Sequence, residues 1–253
     1  MHMPQHLPRR SSGLKSLQRL LLQTVAGVLL VASAAQADTA DATPSAVGYG
    51  SQGYVWNGMT TEQREVLKLT GDATRGKEVY RGCQGCHRSD GAGRPDGTYP
   101  RLSGQHAVVI TKQITDTRAG IRVNPKMDPF SSAHAVSPQE IADVALHLSG
   151  LRSSAPNGQG PADTAAHGGA LYQQLGCADC HGAAGQGNDA KVYPVVAAQH
   201  YPYLLREMEH VRDGQRGNSH PDMVKSIKGR TAADLQALAS YMSRLPDPRT
   251  ASR

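Results

Sequence analysis

Three observations predict an all-α chain of two tandem domains, each of about three helices. The four cysteines of this 253-residue chain fall in two copies of one short pattern, "GCQGCH" at 82 to 87 and "GCADCH" at 176 to 181. Behind each copy, apolar residues recur at spacings of three and four, the period of an amphipathic helix. Aromatic residues make up only 4% of the chain, with one Phe and one Trp. Small domains so poor in large apolar side chains need a disulfide, a metal or a bulky apolar cofactor to complete a core.

Taken in order, residues 1–37 read as an export signal. Arg9, Arg10, Lys15 and Arg19 form a basic start, Leu20 to Ala35 an apolar stretch, and Ala35-Gln36-Ala37 a small-residue cleavage site. Cleavage after Ala37 is expected to deliver the mature chain to the periplasm. As an uncleaved anchor the apolar stretch falls short of the roughly 20 residues that span a bilayer. Without the signal, 23 Lys and Arg face 21 Asp and Glu, so most of the net charge of +6 belongs to the signal. Residues 38–160 carry 13 basic and 12 acidic side chains and residues 161–253 carry 10 and 9. No concentrated basic face is in view, and a nucleic-acid partner is not expected.

Residues 38–71, with Tyr49, Tyr54 and Trp56, form an N-terminal extension, and the repeat begins after it. An offset of 94 residues carries Cys83, Cys86 and His87 onto Cys177, Cys180 and His181. It also carries "YP" at 99 onto 193, "QH" at 105 onto 199, and "RAGIR" at 118 onto "RDGQR" at 212. Upstream, Gly76 and Tyr80 match Gly168 and Tyr172 after a two-residue insertion. The domains are therefore set at 72–152 and 165–246, with a linker rich in Pro, Gly and Ser at 153–164 and a tail at 247–253.

Each unit reads as three helices, the first ending at the cysteine motif. The middle helix is suggested by Ile110 and Ile114, and by Leu204, Leu205, Met208 and Val211. The last is the clearest: Ser137-Pro138-Gln139-Glu140 is a capping box with proline at the first helical position, followed by Ile141, Val144, Leu148 and Leu151. Thr231 and Asp234 open its counterpart.

The motif itself sets the chemistry. One helical turn places Cys83 and Cys86 on one face, so both sulfurs reach the vinyl-bearing edges of a porphyrin while His87 is next in line for the iron. This is the pattern of covalent haem c attachment, and it occurs twice. Structural zinc wants a second CxxC about 15 to 20 residues away, whereas Cys86 and Cys177 are far apart. A thioredoxin-like site needs no adjacent His and sits at a strand to helix junction that this sequence lacks.

A sixth ligand must cross the opposite haem face, and a thioether favours Fe(II). Met127 in "NPKMDP" and Met223 in "HPDM" each sit in a loop behind a proline, 40 and 42 residues after the proximal His, and are the expected ligands. Met208 and Met242 occupy apolar helix positions, and Met59 has no counterpart. His134 and His220 compete from the same loops but do not align. His106 and His200 align, yet stand beside Gln at a helix start, where a capping or surface role is expected. His147, His167 and His210 have no matched partner and are expected to be solvated.

These motifs resemble the cytochrome c4 family, dihaem proteins of two tandem class I cytochrome c domains, over about residues 72–246. The resemblance implies that the carbonyls of Pro100 and Pro194 accept the ring N–H of the proximal histidines, fixing their orientation. Arg101, where the second repeat has Val195, is expected to pair with a haem propionate. Two covalent haems with both axial positions filled imply one-electron transfer with no small-molecule substrate. The expected role is a periplasmic carrier between a respiratory donor and a terminal oxidase or reductase. The alternatives are a cytochrome subunit of a periplasmic dehydrogenase and a dihaem enzyme such as a peroxidase or thiosulfate dehydrogenase.

Overall fold

The structure, a computed structural model, describes residues 58–249. The expected signal and cleavage site, and Tyr49, Tyr54 and Trp56, lie outside the described residues. Among those described there are eleven helices, a single isolated bridge between Asn188 and Tyr193, and no helix long and apolar enough to cross a membrane.

The first half contains α1 (Thr61–Lys68), α2 (Ala73–Tyr80), α3 (Gln84–His87), α4 (Ala107–Arg118), α5 (Asp128–Ser131) and α6 (Pro138–Gly150). The second contains α7 (Ala165–Gln174), α8 (Cys177–His181), α9 (Tyr201–Arg212), α10 (Pro221–Ile227) and α11 (Ala232–Arg244). Both expected capping boxes form: Ser137 and Glu140 open α6, and Thr231 and Asp234 open α11. The helix before each cysteine motif stops short of it. In the second half Gly176 takes a left-handed φ of 70°, and the motif starts a new turn, α8.

Each half is built on one helix crossing, and the matched glycines explain it. A Cβ on Gly76 would lie 2.1 Å from the carbonyl oxygen of Asp143, and one on Gly168 would lie 1.9 Å from that of Ala237. Only glycine lets α2 meet α6, and α7 meet α11, at this distance. Tyr80 and Tyr172 lie fully buried a turn further on. Beside the first crossing Asp143 is nearly inaccessible and takes two hydrogen bonds from Arg75, at 2.7 and 2.9 Å.

The described part of the extension, with α1, is part of the first domain's core. Val66 and Leu67 of α1 are buried, Gln63 donates to the buried Asp116 of α4, and Arg118 pairs with Glu62. Met59 packs with Leu67, Val108 and Val109, and also with Val192 of the second half. Met59, just before α1, therefore shares a cluster with residues of both domains.

The two halves join about a pseudo-twofold axis visible in the hydrogen bonds. The Gln105 amide donates to Val195 O (3.1 Å) and accepts from Val195 N (3.0 Å). The Gln199 amide treats Arg101 in the same way, at 2.9 and 2.8 Å. His106 Nε2 meets Gln186 O at 3.1 Å, and His200 Nε2 meets Ala92 O at 2.7 Å. A second ring follows the same offset: Arg122 donates to Gln113 and Glu207, and Arg216 donates to Glu207 and Gln113, all at 2.9 to 3.1 Å.

Two expectations for histidines are corrected by this packing. His200 is completely buried between the halves; its Nδ1 accepts from Gly158 N at 3.1 Å, so the ring is neutral and donates from Nε2 to Ala92. His147 is half-buried, not fully solvated: its ring lies 5.7 Å from that of Tyr80, as Tyr241 lies 5.3 Å from Tyr172 in the second half.

Candidate haem-binding sites

Each site starts from the short helix of its cysteine motif. Cys83, Cys86, Cys177 and Cys180 are half-buried and form no disulfide. Burial raises the pKa of the Cys83 thiol and pushes Cys177 up to about 11 in the chain without haem. That spacing leaves both sulfurs of each motif on one helical turn.

The proximal histidines are held by the loops that follow. His87 Nδ1 lies 3.3 Å from Pro100 O and His181 Nδ1 lies 3.0 Å from Pro194 O. With Nδ1–H donated to a carbonyl, the neutral ring presents an unprotonated Nε2, the form that ligates iron. Desolvation lowers the pKa of both histidines, which keeps that form. Glycines again bring the strands of each loop together: a Cβ on Gly93 would sit 2.4 Å from Pro100 O, and one on Gly187 2.4 Å from Tyr193 O. Tyr99 and Tyr193 set their rings against His87 and His181, with centroids 5.8 and 6.5 Å apart.

Met127 and Met223 are both half-buried, and both stand at helix starts, not in open loops. Met127 is the N-cap of α5, with its N–H on Asn124 O at 2.9 Å. Met223 lies in the first turn of α10, which Pro221 opens, and packs against the second domain's core. Among the competing histidines, His134 is exposed. His220 caps α10 by accepting from Asp222 N at 3.2 Å and sets its ring edge-on to Tyr193, 6.3 Å away.

Arg101, the residue expected at a propionate, has protein partners at the domain junction. Its guanidinium is buried and pairs with Asp247 at 2.5 Å and with Ala155 O. The C-terminal tail has folded back across the domain junction, where Arg249 pairs with the same carboxylate. Nothing in the sequence near Arg101 announces this partner, which stands 146 residues away. Also missed were Gln113 and Glu207, whose interdomain role depends on the docking of two domains.

A thiol pair and a neutral, carbonyl-oriented imidazole, formed twice, fit a haem c in each half and define a dihaem c-type cytochrome. A sequence model described as Cytochrome c matches residues 73–152 and again 165–246, and the chain belongs to that family, within it to the cytochrome c4 type. It is 31% identical over 204 residues to a thiosulfate dehydrogenase electron acceptor of Stutzerimonas stutzeri, covering 73% of this chain and 93% of the relative. It is 29% identical to a cytochrome c4 of the same species, over 69% of this chain and 90% of the relative. The crystal structure of reduced cytochrome c4 from Pseudomonas stutzeri superposes with a TM-score of 0.63 at 27% identity, over 70% of this chain and all of that one. The fold is thus two tandem cytochrome c domains, carrying two covalently bound haem c. The protein transfers electrons and is not an enzyme. Helix α1 lies outside both matched segments.

Proposed function

We propose that this protein is a periplasmic one-electron carrier in which His87 and Met127 ligate the first iron and His181 and Met223 the second. Cys83, Cys86, Cys177 and Cys180 would hold the porphyrins as thioethers. The observation that carries the ligand assignment is the pair of proximal histidines, each fixed through Nδ1 by a proline carbonyl and so aimed with Nε2 inward. Haem iron, when bound, supplies an Fe(III)/Fe(II) couple. The chain's own residues orient both imidazoles, bury His87 and half-bury His181, and would supply a thioether, from Met127 or Met223, to each iron. Met223 is favoured over His220 because the His220 ring is engaged as a helix cap.

The partners are redox proteins, a respiratory donor and a terminal oxidase or reductase. The relative named as an acceptor from thiosulfate dehydrogenase supports a donor of that kind. Export with cleavage after Ala37 and repeat units at 72–152 and 165–246, the first with α1 packed on it, complete the reading.

The test is Met223→His in the purified holoprotein. Imidazole is a stronger donor than thioether and stabilises ferric iron, so one haem should fall by tenths of a volt within the roughly 0.8 V span of axial-ligand tuning. The ferric sulfur-to-iron absorption should drop by about half, since one of two thioether-ligated sites is lost. An unchanged band and an unchanged two-step titration would remove Met223 from the iron.

A further inference from the structure

Asp116, on α4, lies at the junction of the halves with no exposure to solvent. A carboxylate so placed needs donors from every side. Gln63 of α1 and Lys112, the latter at 2.8 Å, supply two of them from its own half. The third comes from the other half: Asn218 Nδ2 donates to Asp116 Oδ2 at 2.8 Å and to Gln113 Oε1 at 3.0 Å, while its Oδ1 accepts from Arg216 Nε at 3.0 Å. Since a carboxylate only accepts, the Asn218 amide has one orientation, and both ends of it are engaged.

Asn218 belongs to the segment that leads to Met223. Next to it, a Cβ on Gly217 would lie 2.6 Å from Ile121 O, so glycine lets the segment close on the first half. Beyond it, Ser219 Oγ donates back to Arg216 O at 3.0 Å and His220 caps α10, whose first turn carries Met223. The first domain's own segment is built otherwise. By the 94-residue offset, His210 stands for Asp116, Val123 for Gly217 and Asn124 for Asn218. Val123 is 72% exposed, and Asn124 Oδ1 accepts from Met127 N of its own loop at 3.3 Å.

We propose that Asp116 and Asn218 are positioning residues for the thioether of the second iron: through this bond the first domain holds the Met223 segment in place, while the Met127 segment is held by its own loop. This rests on the reading of Met127 and Met223 as iron ligands. Ferric iron prefers an imidazole to a thioether, so a thioether keeps its place against an outside donor in proportion to how firmly its segment is held.

The probe is free imidazole, titrated into the ferric holoprotein carrying Met127→His, in which the sulfur-to-iron absorption reports the second haem alone. Asn218→Ala should lower the imidazole concentration that halves this band by about tenfold, the worth of a hydrogen bond to a charged group. Asn218→Asp sets carboxylate against carboxylate and should lower it further. Adding Asp116→Asn to that variant returns a donor to the bond and should bring the midpoint back to within about threefold of the parent. In a Met223→His parent, where the band reports the first haem, Asn218→Ala should move the midpoint by less than about twofold. Asn218→Ala, at a half-buried loop position, carries the test if the paired carboxylates prevent folding. A Met127→His parent without the band would overturn the ligand reading, and the proposal with it. Equal midpoints in a parent that keeps the band would overturn the positioning role alone. A shift of both haems alike would make the bond a general brace of the fold, and would likewise overturn it.

Discussion

The two domains share a backbone plan but fill it differently. In the second, the buried apolar side chains form one continuous cluster from Leu171 through Leu204 and Met208 to Leu238 and Met242. In the first they fall into three, because α1 adds Val66 and Leu67 on the outside of α4 and α6 and draws Val108, Val109, Ile141 and Ala142 toward itself. What both domains keep is what the fold demands: a glycine at the helix crossing, a buried tyrosine, a histidine on a proline carbonyl and a glutamine clasp. What differs is the layer around it. Duplication preserved the haem cradle and left the flanks free to take on separate tasks.

Removing one cofactor is the strongest way to break this comparison. Cys177→Ala with Cys180→Ala should unfold chiefly the second domain, which has no α1 to support it, with loss of on the order of half the far-ultraviolet helical signal. Cys83→Ala with Cys86→Ala should cost less, because α1 remains packed on α4. Full native helicity in both variants would show that neither core depends on its porphyrin.

The helix crossings should behave alike. Gly76→Val and Gly168→Val each force a side chain into a backbone carbonyl, and each should cost about 3 kcal/mol in denaturant unfolding. A loss confined to one of them would mean that the crossings are not equivalent.

Gln63→Leu sharpens the difference from the other side, since no counterpart exists in the second domain. It removes a donor from the buried Asp116 and half of the capping box with Thr60, at about 2 kcal/mol. The loss should appear in the melting of the first domain alone, read from its haem absorption.

The smallest effect compares two histidines at equivalent positions in the clasp. Burial, with Arg101 and Arg249 nearby, lowers the pKa of His200 below 6.5. The unfolded chain therefore takes up this proton before the folded one as pH falls. Its contribution to stability is present above pH 6.5 and is lost as pH drops through the unfolded pKa toward the folded one. His200→Gln should flatten that part of the stability profile and His106→Gln should leave it in place, as chemical denaturation at pH 7 and pH 5 will show.

Much of the site was legible because its chemistry is local. The spacing of Cys83, Cys86 and His87 lies within two helical turns, and the capping boxes at Ser137 and Thr231 are closed by residues three apart. The methionines were legible as matched positions, but their helical setting was not, because Pro129 and Pro221 each open a short helix that periodicity is too brief to reveal. The ion pair of Arg101 with Asp247 was not legible, because the tail's carboxylate is brought to it only by the folding of the chain.

The sequence alone determined two haem-binding units, their helices and their paired cysteine–histidine motifs, since each depends on residues close together in the chain. Only the tertiary structure decided how the units face each other, why Gln105, Gln199, Arg122 and Arg216 recur, that His200 is neutral and buried, and that α1 belongs to the first core. Those facts rest on contacts between residues far apart in sequence, such as Gln105 with Val195, and local pattern holds no information about which distant groups will satisfy a buried donor.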